Sequence, residues 1–254
     1  MCINPAMTLP FSLAKLAAHW DRIVLPLGQT TAASGRLLYT SVSVIAGGWS
    51  PRGSIEISWQ RSGGDTLHIR VLRERGTGNA VSSFVETSLI ALPDAARTPL
   101  EWSTRSWSAP ALTSPALPGT QAEFRGTFAQ NHVRISYASR HIEYPCGTPL
   151  VDRELLLEIA PRLVQVGLPL TLSLLNDFRT ISTPVRMSSV DRTAIRCGAA
   201  SLLVHELQFT GPGQLPSSLF VDESDRVVLH ICGAEVHHLT ECGPADLSPR
   251  PLAH

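Results

Sequence analysis

Four polar side chains fall on strand faces that otherwise carry apolar residues. In His132–Tyr144 a period of two runs through Val133, Ile135 and Tyr137 and then reaches His141 and Glu143. In Ala200–Phe209, His205 shares a face with Leu203, Leu207 and Phe209. A histidine or carboxylate buried on such a face needs a hydrogen-bond partner. Inside a ligand cavity, desolvation moves its pKa toward the working range and makes it an acid or a base. Tyr137, His141, Glu143 and His205 are therefore the candidate catalytic groups. The plain alternative is a satisfied core residue, or a register that turns them to solvent. Trp59, on the Ile55/Ile57 face, joins Trp102, Phe128 and Phe209 as candidate substrate-binding aromatics. Ordinary core filling is the alternative for each. Trp102 and Trp107 have opposite parity, so one at most faces inward.

Other constellations carry less. Cys232, His237, His238 and Cys242 form a C-x4-HH-x3-C cluster of zinc-type ligands. Its spacing matches no common zinc module, so no metal is expected. Cys146, between Pro145 and Gly147, reads as a small turn residue. No G-x-S-x-G nucleophile elbow occurs. Gly76-Thr-Gly-Asn leads into a strand, not a helix, so it is no dinucleotide fingerprint. No phosphate-binding P-loop occurs, and Lys15 is the only lysine, which disfavours imine chemistry. No cofactor is expected.

The elements that must position these residues are mostly strands. Gly35–Ala46 alternates Leu38, Val42 and Val44 against Tyr39, Ser41 and Ser43. Ser54–Gln60 and Thr66–Glu74 flank Ser62-Gly63-Gly64-Asp65, a tight-turn signal, and form the clearest hairpin. Further strands are expected at Val81–Leu92, Leu100–Trp107, Gln121–Phe128 and His132–Tyr144. The rest fall at Leu170–Leu175, Pro184–Val190, Thr193–Cys197, Ala200–Phe209, Ser218–Val221, Arg226–Ile231 and Val236–Leu239. The proline-rich stretch Ser108–Thr120 reads as a long loop. A short amphipathic helix is expected over Phe11–Asp21. An internal one is expected over Asp152–Val164, where Leu155, Leu156, Ile159 and Leu163 share a face and Pro161 falls near the end. The fold class is mainly β: an antiparallel β-barrel or half-barrel with one internal helix and a short N-terminal helix. Residues 1–242 read as one domain and 243–254 as a flexible tail.

With 254 residues, 43% apolar and 17% charged, the chain can bury a sizeable core. Twenty-one basic residues balance twenty-one acidic ones, which argues against a nucleic-acid partner. No apolar run reaches the ~20 residues of a membrane helix. The N-terminus lacks a basic stretch followed by a long apolar one, and five scattered cysteines make no disulfide framework. A cytoplasmic location with free thiols is expected.

The order of elements over residues 98–241, and closely the stretch GPGQLPSSLFVDESDRVVL from Gly211 to Leu229, is similar to the DUF3108/DUF6134-like proteins. Those end in G-x-L-P-x-x-(W/F)-V-D-x-x-(G/D)-R and belong with the LolA/LolB-like group of curved antiparallel sheets. The resemblance implies a half-open barrel wrapped around a helix and a taste for apolar ligands, lipids included. It transfers no active-site residue. Two functions follow as expectations. One is a cofactor-independent cyclase or isomerase of secondary metabolism, folding a polyketide or terpenoid in a shaped cavity with acid/base help. The other is a non-catalytic carrier of a lipid or hydrophobic metabolite.

Overall fold

Among the residues described by the computed structural model, the period-two alternation becomes fifteen β-strands and one α-helix. The structure describes residues 26, 30, 31, 33–45, 48–62, 65–76, 81–110, 122–147, 149–177, 179–197, 200–212, 214, 215 and 217–245. The first eight strands are β1 (Ser34–Ile45), β2 (Gly48–Arg61), β3 (Leu67–Gly76), β4 (Val81–Ala91), β5 (Pro99–Pro110), β6 (Ala122–Ala129), β7 (His132–Tyr137) and β8 (Arg140–Pro145). After β9 (Leu150–Asp152) comes the helix α1 (Leu156–Val166). Then follow β10 (Leu170–Asn176), β11 (Thr180–Cys197), β12 (Ala200–Thr210), β13 (Ser217–Asp222), β14 (Val227–Cys232) and β15 (Glu235–Gly243). The expected helix over Phe11–Asp21 and most of the expected tail lie outside the described residues. Among those described, no helix is long and apolar enough to cross a membrane.

All fifteen strands form one sheet in the order β8 to β1, then β15 to β9. The first strand pairs antiparallel with the last, Tyr39 facing Leu239 and Ser41 facing His237. Two meanders therefore run outward from a central seam. Every neighbouring pair is antiparallel except β9 and β10. A parallel pair needs a crossover, and α1 supplies it. The sheet does not close into a barrel; β8 and β9 are its two ends. Yet only residues 146–149 join those ends, a reach of at most about 19 Å. The sheet must therefore roll up, and β9 comes to lie against β5.

The rolled sheet surrounds α1. Leu156, Leu157, Ile159, Ala160 and Leu163 are buried and pack against inner-face residues such as Leu37, Tyr39, Ile57, Trp59, Val71 and Leu175. The hollow expected from sequence is thus occupied by the helix. Pro161 sits inside α1 and has no N–H to give the carbonyl of Leu157 four residues back. The Tyr39 hydroxyl approaches that oxygen at 3.0 Å and the Val227 carbonyl at 2.8 Å, sharing its one proton. A second apolar cluster, with Val42, Val204, Phe220, Val228 and Val236, covers the opposite sheet face, so β13 and β14 are buried on both sides.

Three expected boundaries change. The single strand over His132–Tyr144 is a hairpin, β7–β8, turning at Ala138-Ser139 with Ala138 at φ 51°. The runs Pro184–Val190 and Thr193–Cys197 are one strand, β11, irregular between Ser189 and Arg192. β5 continues through Ser108 to Pro110, where proline ends it without breaking the ladder; residues 111–120 of the expected loop lie outside the described residues.

Candidate functional site

The inner face changes character where α1 begins. On β1 the inward residues are Leu37 and Tyr39 beneath the helix, then Ser41 and Ser43 beyond it. Register extends each serine into a row across the seam. Ser41 faces His237 on β15, which faces His230 on β14. Ser43 faces Glu235, which faces Cys232. These rows floor a cleft of about 440 Å³, walled by Arg73 and Arg75 from β3, Arg52 from β2, and Arg153 and Glu154 from the link between β9 and α1. A larger cleft of about 560 Å³ lies at the other end of the helix. Its arginines are matched, Arg162 by Glu158, which also meets Arg97, and Arg226 by Asp222, and Asp225 adds a further carboxylate.

The first cleft holds unmatched groups. Arg73 donates to Glu154 at 2.7 Å and also to Asp177, but its buried Nε has no partner. Burial opposes the charges of Arg73 and Asp177, yet their mutual attraction wins: the Asp177 pKa falls and that of Arg73 rises. Asp152 Oδ1 accepts the backbone N–H groups of Glu154 and Leu155 at 2.9 and 3.2 Å and so fixes the start of the helix. Its Oδ2 and the Oε2 of Glu154 are both buried without a partner. Burial first, then the neighbouring Glu154 carboxylate, pushes the Asp152 pKa well above its usual value. Asp152 thus holds its proton to higher pH than a free aspartate.

Arg153 donates to Cys232 Sγ at 2.6 Å and pairs with no carboxylate. Burial raises the Cys232 pKa, partly offset by the Arg153 charge. His237 Nδ1 lies 2.8 Å from Ser41 Oγ. Its pKa is lowered to about 4 by burial and by Arg153, Arg75 and Arg73. His230, stacked at a tilt 5.3 Å from His237, is also held neutral, by burial, by His237 and by Arg153. It makes no hydrogen bond and is only 5% exposed. The cleft thus presents neutral imidazoles, a thiol and arginine donors, with Glu74, Glu154, Asp177 and Glu235 also in its wall. It can hold an anion or exchange protons with a bound molecule.

The structure does not bring the sequence-derived catalytic residues together. Tyr137 is exposed on β7 and stacks on Phe124 at 4.5 Å. His141 faces Ser136 and Glu143 faces Arg134, so both leave the Val133/Ile135 face. The cause is the turn at Ala138-Ser139, which breaks the count of two. Glu143 accepts from Arg134 at 2.7 Å in solvent, and that bond lowers its pKa. His205 does share the inner face with Leu207 and Phe209, but it meets Ser189 Oγ at 2.6 Å near the far end of the helix. Trp59, Trp102 and Phe209 are buried in the core, and Phe128 packs on its margin. Trp102 lies so close over Gly126 that a Cβ there would sit 2.0 Å from the indole. Trp107 takes the opposite face and stacks on Phe84 at 5.4 Å.

Of the Cys/His cluster, Cys232 and His237 face the cleft. His238 points the other way, and Cys242 lies beside Arg226 at 3.8 Å. Among the described residues no group of three or more such side chains is placed to hold a metal ion. Sequence reasoning missed Ser41, Arg153, Glu154 and His230 as a set. The alternation of Ser41 and Ser43 with valines was visible; the face that turned inward was not.

These features define a mainly β protein with a rolled, open sheet around one helix. No known family model matches the chain, and no curated protein matches it. The chain is similar in fold to the crystal structure of a β-barrel-like protein of a domain of unknown function, DUF1849, from Brucella abortus. The two are 9% identical, with a TM-score of 0.53, over 85% of this chain and 100% of that one.

Proposed function

We propose that the protein is a binding module whose cleft at the start of α1 takes a small molecule bearing a carboxylate or a phosphate. One observation carries the reading: among the described residues Arg153 enters the cleft hydrogen-bonded to a thiol and to no carboxylate, while Asp177, near enough to feel its charge, is bonded to Arg73. A half-buried guanidinium whose fork meets no carboxylate has donors to spare, and an anion can accept from them. The orphaned Arg73 Nε and the unbonded His230 offer further polar contacts. The raised pKa of Asp152, buried beside Glu154, supports a second reading, an acid–base isomerase acting on the same anionic ligand. The kinship to DUF3108-like carriers and the cyclase of apolar substrates both ask for a greasy hollow. That space is filled by α1, so the geometry favours a polar guest.

Calorimetric titration with inorganic phosphate and with succinate tests this. Binding is expected to weaken with salt and to drop about tenfold, about 1.4 kcal/mol, in Arg153→Gln. Equal affinity in the variant, or no binding of either anion, rejects the assignment.

A further inference from the structure

We propose that Cys232 is a covalent site: its sulfur exchanges with the disulfide of a small carboxylate-bearing thiol and carries that thiol as a mixed disulfide. This goes beyond reversible anion binding and needs only that the cleft admit a small solute.

The sulfur lies in the cleft wall, with the Arg153 Nη2 at 2.6 Å. A guanidinium only donates and does not lose its proton, so the sulfur must accept. The form that such a donor stabilises most is the thiolate, which is also the nucleophile. Burial works against that form, as does the Glu235 charge on the paired strand, and Arg153 is the group that counters them. A second observation is independent of the thiol. His230, two residues earlier on the same strand face, is 5% exposed, lines the same cleft and has no hydrogen-bond partner. A polar ring left unbonded there is matched by a polar guest. Arg52 stands in the wall with Arg153 and supplies positive charge for the guest's carboxylates, while Arg75 there pairs with Glu235 at 3.6 Å. The other described cysteines lack this setting. Cys146 is buried at 2% exposure, and Cys242 sits beside Arg226, whose charge is already matched by Asp222.

The exchange is balanced without any further reactant. The Cys232 thiolate attacks one sulfur of the disulfide, a new S–S bond forms, and the old one breaks. The second sulfur leaves as a thiolate and takes a proton from water. The incoming disulfide is the oxidant.

The native protein is incubated with oxidised glutathione, or with neutral hydroxyethyl disulfide, and adducts are followed by intact mass and peptide mapping. One glutathionyl group is expected on Cys232, forming faster than on Cys146 or Cys242. The rate with oxidised glutathione is expected to exceed that with the neutral disulfide by about tenfold. Arg153→Gln is expected to slow the reaction at Cys232 about tenfold and to move the midpoint of its rate–pH profile upward, with Arg153→Lys intermediate. Cys232 left unmodified in the wild-type protein, or an unchanged rate in Arg153→Gln, overturns the proposal. Phosphate and succinate failing to bind does not touch it, so the two readings fail separately.

Discussion

Asp152 holds the start of the helix with one oxygen and leaves the other buried against Glu154 without a bond. An amide in its place keeps the accepting oxygen and turns the orphan into a donor toward Glu154. Asp152→Asn is therefore expected to stabilise the protein at pH 7 by about 1–2 kcal/mol in urea unfolding. The sign follows from the raised folded pKa. The unfolded chain ionises near 3.8 while the folded one holds its proton to higher pH, so wild-type stability is eroded as pH rises above that value. The advantage of the amide should shrink toward pH 4; a gain that is flat with pH would contradict the raised pKa. Asp152→Ala, which loses the bonds to Glu154 and Leu155, should instead cost about 1 kcal/mol. Three of the four residues first singled out give a contrasting test. Joint replacement of Tyr137, His141 and Glu143 on the exposed hairpin is expected to leave anion affinity unchanged, since none reaches the cleft. These residues were legible as polar groups at apolar parity, but parity counts only while the strand continues. Ala138-Ser139 carries no glycine, asparagine or proline, so nothing in the residue types announced the turn.

Helix α1 was readable from its apolar spacing, and its proline was readable as a defect. Its surroundings were not. Tyr39 repairs that defect from β1, 118 residues away. Tyr39→Phe is expected to cost about 2 kcal/mol, because it strands the Leu157 carbonyl in the core. Pro161→Ala restores an N–H within the helix to the same oxygen. In that background the tyrosine change should cost about 1 kcal/mol less, a coupling that a double-mutant cycle by urea unfolding reads directly. Additive effects would mean that the hydroxyl matters only to Val227. The polar stripe of the helix carried a further surprise for sequence reasoning. Glu158 is one of the polar positions of the helix, yet it is buried between Arg97 and Arg162, at 3.3 and 2.6 Å. Helical spacing shows which residues share a face; it does not show that a rolled sheet encloses the opposite face too. Glu158→Gln is expected to destabilise by about 3 kcal/mol, because it leaves the nearly buried Arg97 facing an amide. A loss near zero in thermal unfolding would show that water reaches the pair.

The whole molecule makes one seam serve two purposes. Pairing of β1 with β15 closes the two meanders into one sheet, and the same register sets Ser41 against His237, 196 positions apart in the chain. That is why strands were legible from local alternation while the cleft was not: its rows exist only once the ends of the chain have met. The seam also makes stability depend on acid. His237 titrates near 6.5 when unfolded but at about 4 when folded, because burial and Arg153, Arg75 and Arg73 oppose its charge. His230 behind it is shifted the same way. A histidine with a lowered folded pKa contributes fully above pH 6.5, and its contribution is lost as pH falls toward 4, where the unfolded chain binds the proton first. For His237 the span corresponds to about 3 kcal/mol. Asp152 works in the opposite sense over part of that window, so the wild-type curve alone does not separate them. The difference between wild type and His237→Gln does. It should be flat above pH 6.5 and move in favour of the variant by about 3 kcal/mol on descent to pH 4 in urea unfolding. Because Arg153 is one of the charges that holds His237 neutral, an anion bound to Arg153 should raise that pKa. With saturating phosphate or succinate the fall that begins near pH 6.5 is then expected to end at a higher pH and to be smaller, and an unchanged fall with a ligand bound would separate the anion from the seam.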